Sequence, residues 1–232
     1  MRNKKDFSKE ETAGVVKPRY GADTREKILA AARKVFARHP YHAASLRMIA
    51  AEGGFYQGLI RPHFPTKASL FEALCEDLAS DFSEKNRKWM AEIGGLMPEE
   101  GLSLYLDRFI AYYKKNKENI GLIVQNINQE DEHNIPGYHN VTNFLSERNA
   151  IAESAAMLVF DKDSMARFQE GFTALILHFF GFAAPQARVL GFKTDSPEYL
   201  EWVKETILFI FVPVVEKALN KLIAGQITTE LG

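Results

Sequence analysis

The chain has 232 residues, of which 46% are hydrophobic and 25% are charged. This composition supplies enough apolar side chains for a core and excludes collagen-like and wholly disordered proteins. The most apolar run, residues 206–215, is shorter than the ~18 residues that a membrane-spanning helix needs, so we expect no membrane span. The first residues lack the apolar stretch of a secretory signal and Cys75 is the single cysteine, which together predict a cytoplasmic protein.

Charge is distributed unevenly along the chain. Residues 1–67 carry 14 Lys and Arg against 6 Asp and Glu, whereas residues 68–232 carry 15 against 24. A basic first segment attached to a more acidic body indicates that the first segment meets a polyanion such as nucleic acid. The alternative is that solvated helix faces simply differ in sign.

Residues 1–22 are polar and lack apolar periodicity, which predicts a flexible basic tail. Asp23 is placed to cap a first helix, whose apolar residues recur at helical spacing until Pro40 stops it. Ser45 is a candidate N-cap for a second, short helix, and the pair that ends in Gly54 is expected to terminate it.

Two further helices are predicted in the following stretch. A very short one is expected at residues 56–61, because Pro62 disfavours helical geometry in the residue before it. Thr66 is a candidate cap for a long helix whose apolar positions keep helical spacing as far as Ile93.

The rest of the chain keeps the same helical periodicity and shows no convincing period-two strand, which predicts an all-α fold. Two C-terminal helices, at about residues 163–183 and 196–224, are apolar over most of their circumference. Such helices must be buried on several sides, which favours an oligomer interface. Pro213 predicts a kink in the second of them.

A helix, a tight glycine turn and a second short helix at residues 45–61 make a helix-turn-helix arrangement, in which the second helix enters the major groove of DNA. The segments TREKILAAARKVF, SLRMIAAEGGFYQGLI and HFPTKASLF are similar in order and spacing to the N-terminal domain of tetracycline-repressor-like (TetR/AcrR) regulators. This resemblance covers residues 24–74. It implies a tail at 1–22, a three-helix DNA-binding domain at 23–70 and a larger helical ligand-binding and dimerisation domain at 71–232.

The resemblance also implies a homodimer that binds a palindromic operator and leaves it when a small molecule enters the C-terminal domain. Arg can bond guanine, Gln can bond adenine, and an aliphatic tip can touch a thymine methyl group. The candidate base-contacting residues are Tyr56, Gln57, Leu59 and Arg61. The candidate phosphate-contacting residues are Lys17, Arg19, Arg47, His63, Thr66 and Lys67. For Tyr56 and His63, packing around the three-helix core is the alternative.

Polar groups that lie on apolar helical faces beside aromatic side chains suggest a ligand pocket. The candidate pocket residues are Trp89, Phe109, Tyr112, Tyr113, Gln125, Asn126, Asn143, Phe144, Arg148, Phe172 and His178. The alternative for each polar member is a satisfied core position or an exposed one. The candidate dimer-interface residues are Phe179, Phe180, Ile207, Phe211 and Val214.

No nucleophile elbow, phosphate-binding glycine loop or dinucleotide fingerprint is present, so an enzyme is not expected, and no cofactor is implied. The spacing of His39 and His42, and of residues 130–133 with His139, fits a polar loop better than a metal site. The sequence therefore predicts a ligand-responsive dimeric transcriptional regulator, most readily a repressor. The alternative is a helical small-molecule-binding or interaction protein without sequence-specific DNA binding.

Overall fold

The computed structural model describes residues 20–126, 135–137 and 160–230. Within these ranges the chain forms eight α-helices and no strand, which confirms the all-α prediction. The helices are α1 (Tyr20–Arg38), α2 (Leu46–Gly53), α3 (Lys67–Ile93), α4 (Pro98–Lys115), α5 (Lys117–Asn126), α6 (Lys162–Ile176), α7 (Ala183–Val189) and α8 (Pro197–Glu230). None of the described helices is long and apolar enough to cross a bilayer.

The helix ends near the N-terminus follow local capping signals. The Ser45 hydroxyl accepts a hydrogen bond from the Met48 backbone N–H at 3.3 Å, and Gly54 ends α2 with a φ of 66°. The Thr66 hydroxyl accepts from the Ser69 N–H at 3.0 Å, in a reciprocal capping box. Each of these ends was predicted, because caps depend on residues that are close in sequence.

Three elements differ from the prediction. The expected helix at 56–61 is a single 3₁₀ turn, Gln57–Leu59, since Pro62 leaves no room for an α-helical turn. Helix α1 begins at Tyr20, before the predicted cap at Asp23. Helix α6 ends at Ile176 and continues as a π-helical segment, Leu177–Gly181, instead of running unbroken to about residue 183.

A small core joins α1, α2, the 3₁₀ turn and the start of α3. Phe36 and Phe71 are fully buried, with ring centroids 4.8 Å apart and edge-to-face geometry. Tyr41, from the loop between α1 and α2, packs its ring against Phe71 at 5.0 Å. Because α3 runs from this core into the larger part of the molecule, the boundary predicted at residue 70 lies inside a continuous helix.

Helix α5 lies between α1 and the π-helical segment. A Cβ atom at Gly121 would lie 3.1 Å from the Ala37 carbonyl oxygen, so α5 approaches α1 about as closely as two helices can. On the other side, Gly181 lies directly against the Val124 side chain. Two glycines therefore permit α5 to contact the small N-terminal core and the larger core at once.

The larger core is built largely from aromatic side chains of α3, α4, α6 and α8. Phe82, Trp89 and Tyr112 pack edge to face, with centroid distances of 5.6–5.9 Å. Helix α8 turns one face, which includes Tyr199 and Val203, toward this core. The Tyr199 hydroxyl donates to the Phe179 carbonyl oxygen at 2.7 Å and so ties α8 to the π-helical segment.

Candidate functional site

The four candidate base-contacting residues project from the 3₁₀ turn and its flanks. Tyr56 is 85% exposed and Leu59 is 42% exposed, and Gln57 and Arg61 are also exposed. Ile60, between them, is fully buried and anchors the turn to the core. The Tyr56 side chain is therefore not part of the three-helix core, and all four candidates are exposed within residues 56–61.

Gly58 allows the Tyr56 ring to fold back across the turn. A Cβ atom at position 58 would collide with that ring. The Tyr56 ring thus lies across Gly58 and remains exposed, so it is accessible to a large ligand such as DNA.

Basic side chains near the turn divide into paired and unpaired ones. Ion pairs within the described residues hold Arg33 to Asp77 and both Lys34 and Arg38 to Glu52. Arg47, in the first turn of α2, and Arg61 are exposed and form no ion pair with any described residue. These two guanidinium groups are therefore free to meet an anion.

The other candidate phosphate contacts fall into different environments. Thr66 is exposed, and its hydroxyl caps α3. His63 is half-buried, which is compatible with either of its two predicted roles. Lys17 and Arg19 lie outside the described residues.

Lys67 does not extend toward solvent as a phosphate contact would. Its Nζ donates to the Tyr41 carbonyl oxygen at 2.8 Å and to the Ala44 carbonyl oxygen at 2.9 Å, and it lies 4.3 Å from the centre of the Tyr41 ring. Partial burial lowers the pKa of this ammonium group. Phosphate contact by Lys67 stays a prediction, while in this structure its charge holds the α1–α2 loop against the start of α3.

The same loop is held from α5 by Asn126. This fully buried residue accepts a hydrogen bond from the Tyr41 backbone N–H at 2.8 Å and donates to the Leu122 carbonyl oxygen at 2.8 Å. Its polar groups are therefore satisfied between α5 and the α1–α2 loop.

A cavity of about 240 Å³ lies where the end of α3 and the start of α4 meet α6 and α8. Its walls are almost wholly apolar, with amide groups at two positions and one phenol. The lining residues are Asn86, Met90, Ile93, Leu96, Met97, Pro98, Gly101, Leu102, Tyr105, Phe160, Met165, Phe168, Gln169, Phe172 and Val215. Phe172 is the member of this set that was predicted as a pocket residue.

The remaining pocket candidates lie elsewhere. Trp89 and Phe109 pack edge to face, on Tyr105 and on Phe180 respectively, and neither lines the cavity. Gln125 and His178 are exposed. Asn143, Phe144 and Arg148 lie outside the described residues.

The hydroxyl groups of Tyr112 and Tyr113 form hydrogen bonds with other residues of the same chain. The Tyr112 hydroxyl accepts from Asn119 Nδ2, and the Tyr113 hydroxyl donates to Asp195 Oδ1, each at 2.7 Å. Burial, reinforced by the Asp195 carboxylate, raises the pKa of Tyr113. Both hydroxyl groups therefore have partners within the subunit, and neither phenol lines the cavity of about 240 Å³.

Sequence periodicity missed the cavity because its walls follow the same apolar spacing as the core. Gln169 is a polar residue that could have indicated the cavity from the sequence, because it lies three residues before Phe172 on a largely apolar face of α6. Its Nε2 is buried without a hydrogen-bond partner among the described residues.

Four of the five interface candidates are buried within one subunit. Phe179 is 7% exposed, and Phe180, Ile207 and Phe211 are as well covered. Val214 remains exposed. Their place in an interface stays a prediction, and their burial shows that a helix that is apolar all round does not reveal from its sequence which face meets its own core.

Other apolar side chains on α7 and α8 and in their flanks are exposed instead. We call them the C-terminal apolar surface: Phe182, Val189, Leu190, Phe209, Ile210, Val214 and Ile223.

No group of three or more potential metal ligands occurs among the described residues, which include His39 and His42. Residues 130–133 and His139 lie outside them.

Residues 28–74, which contain the second half of α1, all of α2, the 3₁₀ turn and the capped start of α3, match the model of the tetR family of bacterial regulatory proteins. A stretch of 62 residues is 37% identical to the HTH-type transcriptional repressor AcnR of Corynebacterium glutamicum. That match spans 27% of this chain and about a third of the repressor.

The fold of the whole described chain also resembles solved regulators. A tetR-family transcriptional regulator from Streptomyces coelicolor superposes with a TM-score of 0.60 at 13% identity, covering 90% of this chain and 96% of that one. The transcriptional regulator FadR from Bacillus subtilis, solved in complex with stearoyl-CoA, superposes with a TM-score of 0.59 at 16% identity. That match covers 81% of this chain and 97% of FadR.

Proposed function

We propose that the chain is a tetR-family regulator, whose family model its residues 28–74 match, and that it acts as a homodimeric transcriptional repressor that leaves its operator when a small apolar molecule binds. The observation that carries the proposal is the exposed 3₁₀ turn, which presents Tyr56, Gln57, Leu59 and Arg61 on a buried anchor. Side chains of these types bond base edges or touch the thymine methyl group in the major groove.

Arg47 and Arg61 support the DNA-binding part of the proposal. Both are exposed without an ion pair among the described residues, so neither must break a contact within the subunit to approach DNA. Arg47 lies in the first turn of a helix, where backbone N–H groups also favour a phosphate. We assign Arg47 to the backbone and Arg61 to the bases.

The C-terminal apolar surface supports the homodimer. Phe209 and Val189 are each 82% exposed, which is costly for large apolar side chains in a lone subunit. A second copy related by two-fold symmetry covers this surface with the same residues. It also places two turns about 34–36 Å apart, the spacing of successive major grooves.

The cavity supports the effector part of the proposal. It borders the C-terminal end of α3, and the N-terminal end of the same helix packs beside the 3₁₀ turn. At about 1.5 Å per residue, a helix of 27 residues spans roughly 40 Å. A molecule that displaces the C-terminal end of α3 therefore moves a rigid helix whose other end begins just after the 3₁₀ turn.

The test is selection of bound sequences from a randomised DNA pool, followed by gel shifts on the selected sequence and on DNA upstream of the chain's own gene. We expect a palindromic site, with affinity that falls steeply as salt rises. Equal affinity for all sequences would reduce the protein to a nonspecific DNA binder. Recovery of no sequence, together with a small molecule held tightly in native mass spectrometry, would instead favour the small-molecule-binding alternative.

A further inference from the structure

We propose that the effector is an uncharged apolar molecule with a single hydrogen-bond acceptor, such as a ketone or an ester, and that Gln169 donates to that acceptor. The inference rests on the proposed function for its regulatory consequence, but its binding chemistry follows from the cavity alone. The charge, the polar groups and the volume of the cavity each limit the class of molecule that can bind there.

The walls exclude an ionised group. Among the residues that the structure describes, the lining contains no Asp, Glu, Lys, Arg or His and is apolar except for Asn86, Gln169 and the Tyr105 phenol. An ion transferred from water into such surroundings loses its hydration without gaining a counter-charge. The part of the effector that enters the cavity is therefore neutral.

One nitrogen atom of the wall is buried without a hydrogen-bond partner among the described residues. The Tyr105 hydroxyl donates to Asn86 Oδ1 at 3.0 Å, so these two groups satisfy one another. Gln169 Nε2 is buried without a partner among the described residues. Because a buried donor without an acceptor costs free energy, a ligand that supplies one acceptor gains more than its hydrocarbon counterpart.

The size and the rim of the cavity narrow the class further. A cavity of 150 Å³ accommodates benzene, so one of about 240 Å³ holds a single ring with a short chain, or a medium-length chain. Leu96 and Met97, in the loop between α3 and α4, are exposed and also belong to the lining. These two side chains form an apolar rim through which such a molecule enters.

The experiment compares three probes of one shape: butyrophenone (neutral with one acceptor), butylbenzene (no acceptor) and 4-phenylbutyrate (anionic). Binding to the full chain is measured by isothermal titration calorimetry. We expect butyrophenone to bind most tightly and 4-phenylbutyrate most weakly. Tightest binding of the anion, or binding of none of the three, would overturn the proposed class.

Two variants locate the contact. Gln169→Leu keeps the volume and removes the donor, so butyrophenone affinity should fall about three- to tenfold while butylbenzene affinity does not fall. Gln186→Leu on α7, outside the lining, is the matched control and should leave all three affinities unchanged. An unchanged preference for butyrophenone in Gln169→Leu contradicts the assignment of the donor.

Leu102→Trp fills the cavity and does not depend on Gln169. Binding of all three probes should be lost while the melting temperature of the free protein stays near that of the wild type. Binding of butyrophenone as in the wild type would place the site elsewhere and overturn the proposal.

Operator gel shifts on the same preparations separate this inference from the proposed function. Release of DNA by butyrophenone in the wild type, but not in Leu102→Trp, supports both. Gln169-dependent binding in a protein that binds no DNA would overturn the proposed function and leave the ligand chemistry intact. Specific DNA binding that no neutral probe affects would overturn the effector inference alone.

Discussion

The side-chain oxygen of Asn126, the last residue of α5, accepts a hydrogen bond from the backbone N–H of Tyr41 at 2.8 Å. Asn126 is fully buried, and Tyr41 lies in the loop that joins the first two helices of the DNA-binding domain. The bond therefore connects the domain that we assign to DNA with the one that we assign to the effector. The same helix α5 also approaches α1 closely where Gly121 meets Ala37.

Asn126→Leu should destabilise the protein by about 1–3 kcal/mol, because the Tyr41 N–H is left without an acceptor in a partly buried site. Urea unfolding monitored by circular dichroism measures this loss. Gln125→Leu changes the exposed neighbour and is the control. A change of less than 0.5 kcal/mol in Asn126→Leu (about what an ordinary surface substitution produces) would show that water replaces the side chain.

Lys67→Met should weaken the N-terminal core by about 1–3 kcal/mol, since two carbonyl oxygens lose a charged donor. Hydrogen exchange of the α1–α2 loop should accelerate. The dependence of DNA affinity on salt should keep its slope, because the ammonium group faces Tyr41 and Ala44. If the slope of DNA affinity against salt fell by about 1, Lys67 would instead contact a phosphate.

Arg61→Ala and Arg47→Ala should separate base recognition from backbone contact. Loss of Arg61 is expected to cost about 1–3 kcal/mol on the preferred operator and to relax one position of each half-site. Loss of Arg47 should weaken all sequences alike and lower the salt slope by about 1. Gel shifts over a salt series, on the preferred and on a mismatched site, distinguish the two. The opposite pattern would exchange the assigned roles.

Phe209→Glu should give monomers with much weaker operator binding, because it places a charge in the middle of the C-terminal apolar surface. Sedimentation velocity measures the oligomeric state. Lys221→Glu changes the charge of the same helix without removing apolar area and should leave the dimer intact. A Phe209→Glu protein that remains dimeric would move the interface to another surface.

Cys75 should react slowly with a thiol reagent in the native protein. It is fully buried, and burial, with the charge of Glu72 as a smaller cause, raises the pKa of its thiol from 9.0 to about 12. Labelling at pH 8 should accelerate steeply with urea, in parallel with global unfolding. Fast labelling without urea would show that the core around α3 opens locally.

The same raised pKa sets the sign of a pH effect. Between pH 9 and about 12 the unfolded chain loses the thiol proton while the folded chain keeps it, so the unfolded state gains stability as the pH rises. The wild type should therefore lose stability relative to Cys75→Ala as the pH is raised through this window. Unfolding titrations at pH 8 and pH 10 test this.

Local signals predicted the elements well and the sites unevenly. Ser45, Gly54 and Thr66 end their helices as expected, because capping is decided within four residues. Lys67 shows a limit of this approach, because a charge alone does not tell whether an ammonium group meets a phosphate or a neighbouring carbonyl. Phe179 shows a related limit, because which face of an apolar helix meets its own subunit is decided by packing distant in sequence.

Helix α3 has a practical consequence for building chimeric regulators. Its first residue holds the α1–α2 loop and its last turns border the cavity, so no flexible linker separates the module to be exchanged from the one to be kept. A junction cut at residue 70 interrupts a helix and also parts Tyr41 from Asn126. A transplanted DNA-binding module should thus need the partner surface of α5 as well, and without it a fusion is expected to fold poorly or to lose its response to the inducer.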